Sequence, residues 1–119
     1  MTAPSFKLAL VQMLVEGGRK EANLQRARDR VDEAAGRGAS VVVLPEAMTL
    51  GWTDGSGRAG ADEIPGGAGC VTLREAARRN GVYVCAGLVE RDGGSIFNAA
   101  VLSNASGARS WWGRAAPGS

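Results

Sequence analysis

The stretch Ser40-Val41-Val42-Val43-Leu44-Pro45-Glu46 sets the architecture. Three valines and a leucine in succession favour extended backbone. A continuous apolar run, without alternation, suits a strand buried on both faces of a parallel sheet. Pro45, which has no N–H to give a ladder, ends it. Immediately before this strand, Gly36 and Gly38 are stop signals for a helix over Arg19–Ala35. In that helix Leu24, Ala27, Val31 and Ala34 or Ala35 recur at helical spacing, with arginines and acids on the opposite side. Further back, Phe6–Met13 is short and apolar and reads as a strand. Strand, helix and strand joined by short links imply a right-handed parallel crossover.

Beyond Glu46 the segment Gly51–Gly69 is rich in glycine and has little periodicity. It is long for a plain connector, which favours a functional loop. Cys70–Asn80 reads as a second helix with Leu73, Ala76 and Ala77 inward and Gly81 closing it. Val82–Glu90 is a third strand, Asp92-Gly93-Gly94 a turn and Ser95–Leu102 a fourth strand, and the last two are expected to form a hairpin. Ser103–Ser119 has neither strand alternation nor helical periodicity, and residues 108–119 are expected to be an irregular tail after a domain over residues 1–107.

Bulk properties narrow the function. The chain has 119 residues, enough for one small domain or a piece of a larger one, and at 45% hydrophobic and 22% charged it is globular in composition. Its net charge of +2 comes from scattered arginines with no basic block, so no nucleic-acid partner is implied. No run is long and apolar enough to span a bilayer, so no membrane partner is implied either. Leu8–Val11 behind Lys7 mimics a secretion signal, but Gln12 and Glu16 interrupt it and no cleavage site follows, so a cytoplasmic protein is expected. With no histidine, a Ser-His or Cys-His pair is excluded.

Glu46 is the candidate catalytic residue. A carboxylate at the C-terminal end of a buried parallel strand stands where α/β sheets hold ligands. Partly desolvated there, it would have a raised pKa and could act as a general base; the plainer reading is a glutamate that faces water. Cys85, inside an apolar strand, is expected to be a core residue. Cys70, at a helix start, could have its thiol pKa lowered by the helix dipole, but a structural role is expected for it too. Pro65-Gly66-Gly67-Ala68-Gly69 could cradle a phosphate, yet it lacks the lysine of a P-loop and reads as a plain loop. Asp54, Asp62 and Glu63 show no metal-ligand spacing, so neither a metal nor a cofactor is expected.

The order of short motifs says more than any one of them. Lys7-Leu8-Ala9-Leu10-Val11-Gln12, Asn23-Leu24, Gly38-Ala39, Leu44-Pro45-Glu46 and Gly51 are followed by Ile64-Pro65-Gly66, Val84-Cys85-Ala86-Gly87-Leu88-Val89-Glu90-Arg91 and Phe97-Asn98-Ala99-Ala100-Val101. This series resembles the N-terminal half of the nitrilase, or carbon–nitrogen hydrolase, family. The resemblance implies an α/β fold forming half of a four-layer αββα sandwich. It implies cleavage of non-peptide carbon–nitrogen bonds in nitriles, amides or N-carbamoyl amines by a Glu-Lys-Cys set, with Glu46 in the place of the glutamate. The glutamate takes the thiol proton, the thiolate attacks, and the lysine stabilises the tetrahedral intermediate.

The chain departs from that pattern after Gly107. The family continues into an aromatic-Arg-Lys segment; here Arg114 matches the arginine and Ala115 falls where the lysine belongs. Lys7 and Lys20 lie elsewhere, and no cysteine matches the nucleophile. The chain alone is therefore expected to be inactive. Alternatives are a non-catalytic domain that binds a small molecule or pairs with a full-length relative, and a nucleotide-binding domain resting on the glycine-rich loop. Trp111-Trp112 is either a partner anchor or part of a tail that does not fold. Half of a sandwich would leave one sheet face uncovered, so aggregation, partial unfolding or association into a homo-oligomer is expected.

Overall fold

The computed structural model describes residues 3–51, 57–108 and 110–115. The elements run β1 (Leu8–Leu10), α1 (Lys20–Gly36), β2 (Val41–Val43), α2 (Gly57–Gly60), α3 (Ala68–Asn80), β3 (Tyr83–Asp92), β4 (Ser95–Ser103) and β5 (Ser110–Arg114). The five strands form one sheet in sequence order. β1, β2 and β3 are parallel, and β3, β4 and β5 antiparallel.

The predicted helical faces are the observed ones. Leu24, Ala27, Val31 and Ala34 of α1 are buried, as are Leu73, Ala76 and Ala77 of α3. Both helices pack on a single face of the sheet, against Val42, Val84, Ala86, Leu88 and Val101 in one cluster. Helices therefore cover one face only, which is the two-layer half of an αββα arrangement. A smaller cluster of Ala47, Leu50, Ala61 and Val89 closes over the other face near the C-terminal end of β3.

That one-sidedness corrects two expectations, and strand pairing corrects two more. Val42 is fully buried, but Val41 and Val43 are only half-buried, because their side chains point to the face without helices. Cys85 shares that face and is half-buried, not a core residue. Residues 108–119 are not wholly irregular: Ser110–Arg114 pairs along β4 from Ser103 to Ala99 and extends the sheet. Period-2 alternation there was masked by the adjacent tryptophans, since Trp112 lies on the helix face at the sheet edge and Trp111 on the other, and both remain exposed. β1 is also shorter than the apolar run Phe6–Met13, because only Leu8–Leu10 has a partner strand to pair with, and Phe6 is 70% exposed.

The long glycine-rich segment holds the short helix α2, while 52–56, including Asp54, lie outside the described residues. Asp62 anchors its far end. This buried carboxylate accepts the Gly69 N–H at 2.9 Å in the first turn of α3 and pairs with Lys20 at the start of α1. The α3 N-terminus is thus occupied by the protein's own carboxylate, which leaves Pro65–Gly69 as a structural turn. No helix among the described residues is long and apolar enough to cross a membrane.

Candidate functional site

After β2 the chain passes across β3, and the crossing fixes Glu46. Leu44 N–H donates to the Cys85 carbonyl (2.7 Å), Gly87 N–H to the Pro45 carbonyl (3.1 Å) and Met48 N–H to the Gly87 carbonyl (2.9 Å). The approach is so close that a Cβ on residue 87 would lie 2.5 Å from the Glu46 Cα and 2.8 Å from the Ala47 nitrogen. Gly87 is thus the residue that lets the Glu46 turn lie on the sheet. Ala47, the next residue, has φ 47°, a left-handed conformation that costs a non-glycine residue roughly 1–2 kcal/mol. Its burial at 1% exposure, against Leu50, Ala61 and Val89, holds it there. Strained backbone beside a carboxylate is the kind of local cost that marks functional positions.

The Glu46 side chain is exposed, so the partial desolvation expected from the sequence is not supplied by this chain. Glu46 Oε1 accepts a hydrogen bond from Asn98 Nδ2 on β4. The two side chains stand in a cleft of about 430 Å³ whose walls include Cys85, Ala100, Gly113 and Ala115. Asn98 was visible only as part of the Phe97-Asn98 motif; nothing in the sequence told that it touches Glu46.

β5 sorts Arg114 and Ala115 to opposite sides. Arg114 donates to Glu90 Oε2 and Asp92 Oδ2, each at 2.9 Å, and its guanidinium lies 4.2 Å from the centre of the Phe97 ring. The hydrogen bond to Asp92, with the charges of Glu90 and Asp92, raises the Arg114 pKa further. Glu90 is buried, and its Oε1 has no partner among the described residues. Ala115 donates its N–H to the Asn98 carbonyl at 2.9 Å and lines the cleft that holds Glu46.

The other candidates lie apart. Lys7 donates to the Arg37 carbonyl at 2.6 Å, and Lys20 is held by Asp62 and the Gly60 carbonyl; neither lines the cleft. Cys70 is fully buried, and burial pushes its thiol up to about 11, opposite to the effect expected of a helix dipole. Cys85 does line the cleft, between β2 and β4.

Comparison with known proteins gives concordant results. The family model for carbon–nitrogen hydrolases matches residues 7–113. The chain is 43% identical over 94 residues to the omega-amidase NIT2 of Danio rerio, covering 78% of this chain and 33% of that protein. It is 35% identical over 99 residues to a nitrilase of Pyrococcus abyssi, covering 81% of this chain and 38% of that one. Among solved structures, a CN-hydrolase superfamily protein from Xanthomonas campestris superposes with a TM-score of 0.78 at 21% identity, over 90% of this chain and 39% of its own. An amidase from Nesterenkonia sp. does so with a TM-score of 0.74 at 24% identity, over 84% and 38%. The chain thus spans little more than a third of the length of these proteins.

Proposed function

Since the chain belongs to the carbon–nitrogen hydrolase family, we propose that it is the glutamate-bearing portion of a hydrolase of amides, nitriles or N-carbamoyl amines, with Glu46 as general base. By itself it is catalytically silent. The observation that carries this reading is the cleft: a carboxylate oriented by Asn98, with Ala115 beside it where the family places its lysine. Among the described residues, the one cation on the lining, Arg114, has its guanidinium bound to Glu90 and Asp92. The cleft therefore offers a base but no free ammonium to stabilise a tetrahedral oxyanion. The thiol that lines it, Cys85, sits on a strand that does not match the family's nucleophile.

A chimera tests the assignment. Residues 7–115 replace the matching span of a catalytically complete relative, whose remaining length supplies the nucleophile. The chimera with Ala115→Lys is expected to hydrolyse the relative's substrate, and the unmodified chimera to be at least about a hundredfold slower, the scale on which losing one charge-stabilising donor acts. Adding Glu46→Gln to the active chimera should abolish turnover. Full activity with Glu46→Gln would refute the role of Glu46, and full activity of the chimera that keeps Ala115 would refute the explanation of silence.

A further inference from the structure

β5 carries residue 115 into the cleft, yet its own sequence does little to fix where it lies. Along Ser110-Trp111-Trp112-Gly113-Arg114 the two tryptophans face opposite sides of the sheet. A slip of one residue against β4 would put one tryptophan where the other had been, so apolar patterning does not set the register. The connection from Ser103 to Ser110 covers residues 104–109, longer than the two-residue loops that fix a hairpin by their geometry. Something else must choose between registers.

We propose that Glu90, helped by Asp92, is a positioning residue: it locks the register of β5 by gripping Arg114 and so holds residue 115 in the cleft beside Glu46. Alternation along β3 puts Glu90 and Asp92 on the helix face with Ala86 and Leu88, and Arg114, opposite Ala99, shares that face. Arg114 donates from Nη2 to Glu90 Oε2 and from Nη1 to Asp92 Oδ2, both at 2.9 Å, and lies over the ring of Phe97, the residue opposite Glu90. Three partners on two strands leave a planar guanidinium little freedom. Glu90 is 1% exposed and its Oε1 has no partner among the described residues, so the burial of its carboxylate depends on Arg114. A buried ion pair adds little stability over apolar residues of like volume; what it supplies here is a single allowed register. A one-residue slip would carry Arg114 to the opposite face, leave Glu90 buried without it, and turn residue 115 away from the cleft. In the observed register Ala115 gives its N–H to the Asn98 carbonyl at 2.9 Å and lines the cleft. The catalytic importance of residue 115 rests on the proposed function; the register lock does not.

Hydrogen exchange followed by NMR reads the register. The Ala115 N–H points to β4, so in this antiparallel pair the amides of Gly113 and Trp111 do too, while those of Trp112 and Arg114 point away. In the 119-residue chain, and in the Ala115→Lys chimera, the first set should exchange at least about tenfold more slowly than the second. Glu90→Leu combined with Arg114→Leu removes both charges together and buries none unpaired, so the fold is kept, which circular dichroism checks. Glu90→Gln keeps the shape of the side chain and removes only its charge, and it decides the matter if the double variant does not fold. The double variant should abolish the contrast between the two sets of amides, and Glu90→Gln should reduce it. Placed in the Ala115→Lys chimera, the double variant should also lower kcat by about a hundredfold, the cost of misplacing a group by about 1 Å, with KM changed less than about twofold. A contrast that survives undiminished in either variant would overturn the lock. Lost contrast with kcat unchanged would overturn the positioning of residue 115. An Ala115→Lys chimera that is silent while its exchange contrast is intact would overturn the proposed function alone, and the lock would still hold by the exchange result.

Discussion

Replacing Gly87 with alanine should cost far more than a buried methyl group usually does. A Cβ at residue 87 would sit 2.5 Å from the Glu46 Cα and 2.8 Å from the Ala47 nitrogen. Both are backbone atoms, so no side-chain rotation relieves the contact. The Glu46 turn would have to lift from β3, at about 1–3 kcal/mol for the overpacking. Lifting it also strains the hydrogen bonds from Gly87 N–H to Pro45 and from Met48 N–H to Gly87, each worth about 1 kcal/mol. The sum is on the order of 3–5 kcal/mol, comparable with the whole stability of a marginal domain. Gly113→Ala is the matched control, because the added Cβ faces the same side of the sheet and meets nothing within 4 Å. Urea unfolding at one fixed protein concentration should show the midpoint falling by about 1–3 M for Gly87→Ala and scarcely moving for Gly113→Ala. Equal midpoints for the two variants would refute the claim that Gly87 exists to admit the Glu46 turn.

Other consequences are separately testable. Asp62→Ala removes both the cap on α3 and the partner of Lys20, and should destabilise by on the order of 2–4 kcal/mol; urea unfolding measures this, and faster hydrogen exchange at the Gly69 amide should accompany it. Folding raises the Cys70 thiol from 9.0 to about 11, so the unfolded chain releases a proton in that interval that the folded chain keeps. Stability is therefore fully present below pH 9 and is lost as the pH rises to 11, by roughly 3 kcal/mol, a slope that Cys70→Ala should remove in pH-dependent denaturation. Asn98→Leu should leave the sheet register intact but free the Glu46 carboxylate, seen as increased side-chain mobility of Glu46 in NMR relaxation.

Much of the fold was legible because its signals are local. The apolar stripes of α1 and α3 and the glycine turn of the β3–β4 hairpin depend on neighbours within a few residues, and each element lies within a few residues of its expected place. What failed depends on distant partners. Val41, Val43 and Cys85 look like core residues in any window of sequence, and only the absence of helices on their side leaves them half-buried. β5 was hidden because its pattern, Ser-Trp-Trp-Gly-Arg, places bulky residues on both faces of an edge strand. At the site, Glu46 could be singled out from its strand end and motif. Asn98 could not be, since it meets Glu46 across 52 residues of chain. The carboxylate's exposure was equally hidden, because desolvation is set by what lies above a side chain and not by the strand that carries it.

The most direct test of the central claim is hydrolysis by the purified chain itself. Aliphatic amides, nitriles and N-carbamoyl amines are incubated with the 119-residue protein, with Glu46→Gln and with protein whose two thiols have been blocked, and product is followed by mass spectrometry. The account predicts the same background rate in all three, because among the described residues no lysine, and no thiol but that of Cys85, lines the cleft with Glu46. Turnover that vanishes with Glu46→Gln yet survives thiol blocking would contradict it, since the cleft would then hold a complete catalyst built on a different nucleophile.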